Sequence, residues 1–121
     1  MKYMLLIHQG STPLPGTEAW DELSDEQRQA VYTAYGAINK NPNVTPGEQM
    51  QAPETATTVQ VQDGKTLVTD GPFVELKEAV GGYLFLQADD LDAAIELASS
   101  IPAASMGGAI EIRPLGQWQS N

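Results

Sequence analysis

The chain has 121 residues, enough for one domain with a core of its own, and it contains no cysteine, which excludes disulfides, thiolate zinc sites and cysteine nucleophiles. Its formal charge of −10, with six scattered basic residues, disfavours direct binding to nucleic acid or to anionic membrane surfaces, because both need clustered cations. The N-terminus lacks the apolar length of a signal peptide, and no segment approaches the ~20 apolar residues of a membrane span, so we expect a soluble, cytoplasmic protein.

The first part of the chain predicts a strand, a loop and a helix. Residues 3–8 are short and mostly apolar, as in a strand, and residues 9–22 hold two prolines and two glycines, as in a surface loop. Ser24 followed by Gln27 is the pattern of a capping box, which predicts that a helix begins there, and the prolines of residues 39–47 predict its end. The stripe expected to be buried recurs at helical spacing and comprises Ala30, Val31, Ala34, Tyr35 and Ile38.

A β-hairpin and a further strand follow. Residues 55–62 are rich in threonine and valine and alternate, as a half-buried strand does. The Asp-Gly pair at 63–64 predicts a tight hairpin turn into a second strand at 66–69. Residues 79–87 form the next predicted strand, in which the two glycines at 81–82 indicate a bulge or a close backbone approach.

The chain ends with a second helix and a last strand. Asp89 or Asp90 is the expected N-cap of the helix, and Pro102 is expected to stop it. Residues 109–113 read as the closing strand. The apolar stripe of this helix comprises Leu91, Ala94, Ile95, Ala98 and Ile101.

This order of elements predicts a single α+β domain over residues 1–121. Two crossover helices on one antiparallel sheet correspond to the ferredoxin-like βαββαβ plan, here with an extra central hairpin and with both helices on one face of the sheet. The other face has no helix to cover it. We therefore expect a homodimer formed through the open sheet face.

Asp70, Gly71, Pro72 and Phe73 interrupt the hairpin strand and form what we call the DGPF turn. Gly71 permits a positive φ, and Pro72 fixes its own φ and restricts the residue before it, so the turn should have one conformation. Asp70 can accept bonds from nearby backbone N–H groups. The turn is therefore expected to aim one carboxylate in one direction, as a structural or a functional group.

The sequence resembles the YCII-related, or DGPF-domain, family. The similarity runs over nearly the whole chain and is carried by MKYMLLIHQG at the start, by TDGPF with the following KE and GGY, and by AIEIRPL near the end. It implies a dimeric α/β-barrel of two ferredoxin-like protomers, with a cleft near the start of the first strand and the DGPF turn. Some relatives are linked with extracytoplasmic-function sigma factors, and relatives of the YCII branch are proposed to use a histidine and an aspartate. The chain departs from the DGPF pattern at His8, where an aromatic residue such as tyrosine is commoner.

His8 and Asp70 are the candidate catalytic residues. His8 is the only histidine, and a carboxylate that orients one ring nitrogen would let the other exchange protons. The alternative interpretations are an ordinary strand-end histidine and a turn-forming aspartate. Residues 70–73 and Lys77 are the candidate ligand-binding set, although Phe73 is more typical of a core residue and Lys77 of a solvated residue or of a pair with Glu78. The spacing of carboxylates and histidine indicates no metal site, and no cofactor is predicted.

Two functions remain open at this stage. One is a homodimeric, non-catalytic module that binds a small molecule or a protein partner, in the regulatory setting that the sigma-factor link implies. The other is a cofactor-independent enzyme that uses His8 and Asp70 for acid–base chemistry on a small polar substrate.

Overall fold

The structure is a computed structural model and describes residues 1–51, 53–73 and 80–116. Within these residues it is an α+β protein with six strands in two antiparallel sheets and four helices. A single 3₁₀ turn, Pro53–Thr55, precedes the hairpin. The elements are β1 Lys2–His8, α1 Glu18–Asp21, α2 Asp25–Lys40, β2 Val44–Gln49, β3 Thr57–Gln62, β4 Lys65–Asp70, β5 Val80–Gln87, α3 Leu91–Ser99, α4 Pro102–Ser105 and β6 Ala109–Pro114.

The main sheet has the strand order β2-β5-β1-β6, and β3 and β4 pair only with each other in a second sheet. If the β3–β4 hairpin is set aside as an insertion, the remaining strands follow the ferredoxin-like order, in which the first and third strands are central. The predicted α+β fold with an extra central hairpin is therefore confirmed.

The core lies between one face of the main sheet and the helices. Along β1, Tyr3, Leu5 and Ile7 are buried while the residues between them are half-buried or exposed, as the two-residue period of a strand requires. Leu84 and Leu86 of β5 extend this buried face. The helices and the segment around α4 contribute Ile38, Ala94, Ala98, Ile101 and Ala103 to the same cluster.

Both predicted turns of the hairpin region are confirmed. Asp63 and Gly64 have φ values of 51° and 77°, the pair of positive values that a type I′ hairpin turn needs. Gly71 has a φ of 96°, and its N–H donates to the Ala56 carbonyl at 2.7 Å. The Thr58 hydroxyl donates to the Gly71 carbonyl, also at 2.7 Å, so the start of β3 holds the DGPF turn.

The helix starts are predicted well and the buried stripes less well. Ser24 and Gln27 form the reciprocal bonds of a capping box, and Asp90 caps α3 through the N–H of Ala93. Ala30 is exposed, and Leu91 and Ile95 are about half exposed, so their predicted burial is wrong. These residues lie at the edges of their stripes. The sheet contacts only the central line of each helix, which in α3 consists of small alanines that allow close packing.

Three further expectations are corrected. Residues 39–47 are predicted only to end the first helix, with no strand among them, but β2 runs through Pro46 and Gly47. A proline is tolerated there because β2 is an edge strand and pairs with β5 alone. The predicted surface loop at 9–22 contains α1 with the buried Trp20. Finally, α3 ends at Ser99, and Pro102 begins α4 instead. At the first position of a helix the missing N–H of proline removes no hydrogen bond.

The main sheet has a second face, which we call the open face. Met4 and Leu6 of β1 and Tyr83 and Phe85 of β5 alternate with the core residues and lie on this side, each half-buried. The core residues that the helices supply all belong to the other side. No helix within residues 1–51, 53–73 and 80–116 has the length and apolar character needed to cross a membrane.

Candidate functional site

A cavity of about 300 Å³ lies between α2 and the helix-covered face of the sheet, where β1 ends and β5 begins. Ile7 and Leu84 form its floor, Tyr35 and Ile38 of α2 face them, and the loop after β1 closes one side with Thr12, Pro13 and Leu14. The volume is at the lower end of the range found for small-molecule sites in proteins. The cavity therefore has the size of a binding site for a compact ligand.

Two buried polar atoms belong to residues that line this cavity and have no hydrogen-bond partner among the described residues. They are the side-chain amide oxygen of Gln9 and the hydroxyl oxygen of Thr12. Most buried polar atoms in proteins are paired, because a lost hydrogen bond to water that is not replaced costs about 1–3 kcal/mol. Neither oxygen is accessible to a water molecule, so both lie inside the wall of the cavity and not on its surface.

The bulge in β5 explains how the Gln9 side chain comes to lie there. Ile7 pairs with Gly82 and His8 with Val80, so Gly81 is an extra residue opposite β1. A Cβ atom on Gly81 would lie 2.3 Å from the Gln9 Cγ. Only glycine leaves room for the Gln9 side chain at this point, so the predicted bulge is confirmed and its effect is to seat Gln9.

The cavity is mainly apolar and almost uncharged. Tyr35 is partly buried in its wall, and this burial raises the pKa of the phenol above its ordinary value of 10.0. The phenol therefore stays neutral at any physiological pH. Trp20 packs edge-on against Tyr32, with ring centroids 5.5 Å apart, and closes another side. Glu48, which is exposed, is the one charged residue among the described residues of the lining.

His8 occupies a different site, on the open face. Its ring Nε2 lies 3.0 Å from the Glu111 Oε1, and the other oxygen of that carboxylate accepts a hydrogen bond from Arg113 Nε. The His8 side chain is 13% exposed, so solvent reaches little of the ring. A carboxylate can only accept a hydrogen bond, so a neutral His8 ring must carry its proton on Nε2 to donate to Glu111. In that tautomer the free lone pair is on Nδ1, which is then the atom that can accept a proton.

The electrostatics of this group centre on Glu111. Two hydrogen bonds lower the pKa of the Glu111 carboxyl below its ordinary value of 4.5. The larger effect comes from Arg113 and the smaller one from His8. The carboxylate therefore remains charged under mildly acidic conditions. Such a charge next to an imidazole can orient the ring.

The predicted site residues do not all come together. His8 is in β1 of the main sheet, whereas Asp70 ends β4 in the separate hairpin, and no direct hydrogen bond joins them. Asp70 is exposed, and no donor among the described residues bonds its carboxylate. Phe73 is 71% exposed, so its interpretation as a core residue is wrong: the hairpin places no layer of protein over it.

The other candidate ligand-binding residues are Gly71, Pro72 and Lys77. Gly71 and Pro72 form the turn that the sequence predicts, with Gly71 half-buried and Pro72 exposed. Lys77 and its expected partner Glu78 lie outside the described residues. Within residues 1–51, 53–73 and 80–116, no three carboxylate or histidine side chains are placed to hold a metal ion.

Sequence reasoning missed Glu111, Gln9 and Thr12. Glu111 could have been found, since it alternates with Arg113 on the last strand and antiparallel pairing with the first strand brings both to the face of His8. Gln9 and Thr12 stand in a segment rich in loop-forming residues. Their common position in one cavity depends on tertiary contacts that no local pattern encodes.

Comparison with known proteins gives a consistent result. The family model for the YCII-related domain matches residues 1–119. The protein named Uncharacterized protein R00369, from Rhizobium meliloti (strain 1021), is 31% identical to the chain over 108 residues, which is 85% of each protein.

Proposed function

The chain belongs to the YCII-related domain family, and we propose that this member is a homodimeric module that binds a small molecule in the cavity beneath α2. The observation that carries the proposal is a cavity of about 300 Å³ whose walls are mainly apolar and include the aromatic residues Trp20 and Tyr35. A bound molecule would cover these walls.

The homodimer is supported by two uncovered apolar surfaces. The open face carries Leu6 and Phe85, which no helix of the described residues covers. One face of the β3–β4 hairpin carries Val59, Val61 and Val68, which are at least 60% exposed. An isolated two-stranded hairpin is marginal in water, and a second copy of the chain is the simplest layer that could cover both surfaces.

The regulatory setting follows from the resemblance to relatives linked with sigma factors. The cavity lies against α2, and the loop after β1 forms part of its wall. A ligand in the cavity would therefore fix the position of this loop relative to the helix. A protein partner that contacts that surface in the cytoplasm would distinguish the filled form from the empty one.

A thermal-shift screen of metabolites tests the binding proposal. Val31 lines the cavity on α2, and Val31→Phe should fill part of it, whereas Thr33→Phe places the same ring on the exposed side of the helix. We expect hits that raise the Tm of the wild type and of Thr33→Phe and leave Val31→Phe unchanged. Asp70→Ala is a third arm. A hit that survives Val31→Phe and is lost in Asp70→Ala would move the binding site to the DGPF turn and contradict the proposal.

The second candidate is a cofactor-independent enzyme, and the hydrogen bond between His8 and Glu111 favours it. A carboxylate that orients the ring and leaves a nitrogen free is the arrangement of a general base. In the sequence-based form of this hypothesis Asp70 supplies the carboxylate. In a dimer the Asp70 of a second copy could still serve, because the hairpin pairs only with itself and is not part of the main sheet of its own chain.

Deuterium incorporation tests this alternative without knowledge of the substrate. A metabolite mixture is incubated with the protein in D2O, and exchange into carbon-bound positions is followed by NMR. Proton transfer by the histidine predicts exchange that is abolished in His8→Asn. If exchange is weakened in Glu111→Gln and unchanged in Asp70→Asn, the orienting carboxylate is Glu111. No exchange that depends on His8 would exclude the enzyme.

A further inference from the structure

We propose that the β3–β4 hairpin is an arm that packs on the open face of a second copy of this chain and brings its Asp70 carboxylate to Arg113 of that copy. This inference rests on the homodimer of the proposed function and specifies which surfaces of the two copies meet. Three observations carry it: the register of the hairpin, the charges on the two surfaces, and the free hydrogen-bonding groups of Asp70 and Arg113.

The register of the hairpin places Asp70 and three valines on one face. Residues directly opposite each other in an antiparallel pair share a face, and faces alternate along each strand. Val59 pairs with Val68 and Thr57 pairs with Asp70, so Asp70 lies on the side of Val68, about 7 Å further along the strand. Val61 is on the same side, and we call this surface the valine face. All three valines are at least 60% exposed, and such an apolar surface is typical of a contact with another molecule.

The open face has the complementary character. Apolar side chains of β1 and β5 form its centre. The lysine, arginine and acidic residues of β1, β5 and β6 are Lys2, Glu111 and Arg113, and the register puts all three on the open face, which therefore has an excess of positive charge. Asp70 is the one charged residue of the hairpin strands on the valine face, since Lys65 is on the opposite side. Both surfaces are thus apolar and their charges are opposite, although the whole chain carries −10.

Asp70 and Arg113 both have free hydrogen-bonding groups. Arg113 donates through Nε to Glu111, and its two terminal amino groups have no acceptor among the described residues. These groups can donate to a second carboxylate. Arg113 lies opposite Met4, with about 5 Å between their Cβ atoms, so a Val68 packed on Met4 would bring Asp70 within reach of the guanidinium. The arm would therefore add a carboxylate from one copy to the ionic group of the other.

Cysteine cross-linking tests which surfaces meet, because the chain has no cysteine of its own. Val68→Cys on the valine face and Met4→Cys on the open face are made in separate proteins with tags of different size. The two proteins are mixed and treated with a short bis-maleimide, which can bridge sheets that pack about 10 Å apart. We expect the cross-link between unlike copies as the main product.

Gln60→Cys is the matched control, since Gln60 is exposed on the opposite side of the hairpin. It should give little cross-linked product with Met4→Cys. The inference is wrong if the main product joins two open faces or two hairpins, or if dimers form and no cross-link appears. Each of these results leaves the homodimer itself in place.

Charge reversal tests the ionic contact. Asp70→Lys reduces the net negative charge, so the general repulsion between two copies falls. A cation opposite Arg113 should nevertheless raise the dissociation constant of the dimer at least about tenfold, as measured by analytical ultracentrifugation. Adding Arg113→Glu to Asp70→Lys should recover most of this loss.

Glu96→Lys is the control for the reversal, because it makes the same change in charge at an exposed position of α3. It should not weaken the dimer. If Asp70→Lys dimerises as tightly as Glu96→Lys, the inference is wrong. A wild-type protein that stays monomeric would contradict both the inference and the proposed homodimer, whereas the metabolite screen with Val31→Phe decides binding in the cavity independently.

Discussion

At the scale of single residues, Gln9 shows how an unpaired buried polar group can lower the stability of a protein. Its buried amide oxygen has no partner among the described residues. Because an unpaired buried acceptor costs about 1–3 kcal/mol, we expect Gln9→Met to raise the free energy of unfolding of the ligand-free protein by about 1 kcal/mol. Urea denaturation at neutral pH measures this change.

The matched control for this prediction is Gln29→Met, which makes the same chemical change at an exposed position of α2. It should alter the free energy of unfolding by less than about 0.5 kcal/mol. A loss of stability in Gln9→Met would mean that the wild-type amide is paired, with ordered water for example.

Tyr35 provides a prediction of pH dependence. Burial raises the pKa of its phenol in the folded state, so above the ordinary value of 10.0 the unfolded chain releases a proton that the folded chain still holds. Well below pH 10.0 this difference in pKa does not affect the free energy of unfolding. As the pH rises from 10.0 towards the folded-state pKa, the free energy of unfolding falls. The loss of unfolding free energy in this alkaline range should therefore be smaller in Tyr35→Phe than in the wild type.

Tyr32→Phe is the control, because Tyr32 is on the same helix and its side chain is 56% exposed. Its alkaline unfolding curve should match that of the wild type. Equal curves for the wild type and Tyr35→Phe would show that the Tyr35 phenol is solvated and is not buried in the wall of the cavity.

At the scale of elements, the bulge in β5 connects backbone geometry to the site. A Cβ atom on Gly81 would lie 2.3 Å from Gln9 Cγ, so Gly81→Ala must displace that side chain. We expect a cost of about 1–3 kcal/mol in unfolding free energy, the usual range for overpacking. Gly36→Ala, in α2, has open space around the added atom and should instead stabilise by about 0.5–1 kcal/mol.

The double variant Gly81→Ala with Gln9→Ala separates the contact from other effects of the glycine. If the clash with Gln9 causes the loss, the two substitutions together should cost less than the sum of the single ones. Additive losses would mean that Gly81 is required for the backbone of the bulge itself. Denaturant unfolding of the four proteins, wild type included, completes the cycle.

The elements that could be predicted from the sequence are those with local signals. The capping box at Ser24, the Asp-Gly turn at 63–64 and the bulge at 81–82 each depend on residues that are adjacent or three apart. β2 was missed because its proline and glycine are typical of loops, and only its edge position in the sheet makes them acceptable. The same limit applies to the site, because the cavity joins Gln9 with Tyr35 across the fold.

At the scale of the whole molecule, the proposed homodimer depends on the open face. Met4, Leu6, Tyr83 and Phe85 form a half-buried apolar surface on the side of the sheet away from the helices. In a monomer this apolar surface would be in contact with water, which favours association. The net charge of −10 opposes association, because two copies of the chain repel each other. Higher ionic strength should therefore favour the dimer, since it screens the repulsion while the apolar contact remains.

The last prediction concerns this dimer. Leu6→Glu places a carboxylate near the centre of the open face, and two-fold symmetry brings two of them into the same interface. The dissociation constant should rise by at least about 100-fold, because like charges in an interface cost several kcal/mol. Light scattering coupled to size exclusion, over a series of protein concentrations, measures the change.

Leu91→Glu is the control, since Leu91 is 51% exposed on α3 and belongs to the helix-covered side. A wild-type protein that remains monomeric at high concentration and high salt, or a Leu6→Glu variant that dimerises normally, would show that the open face is not where two copies meet.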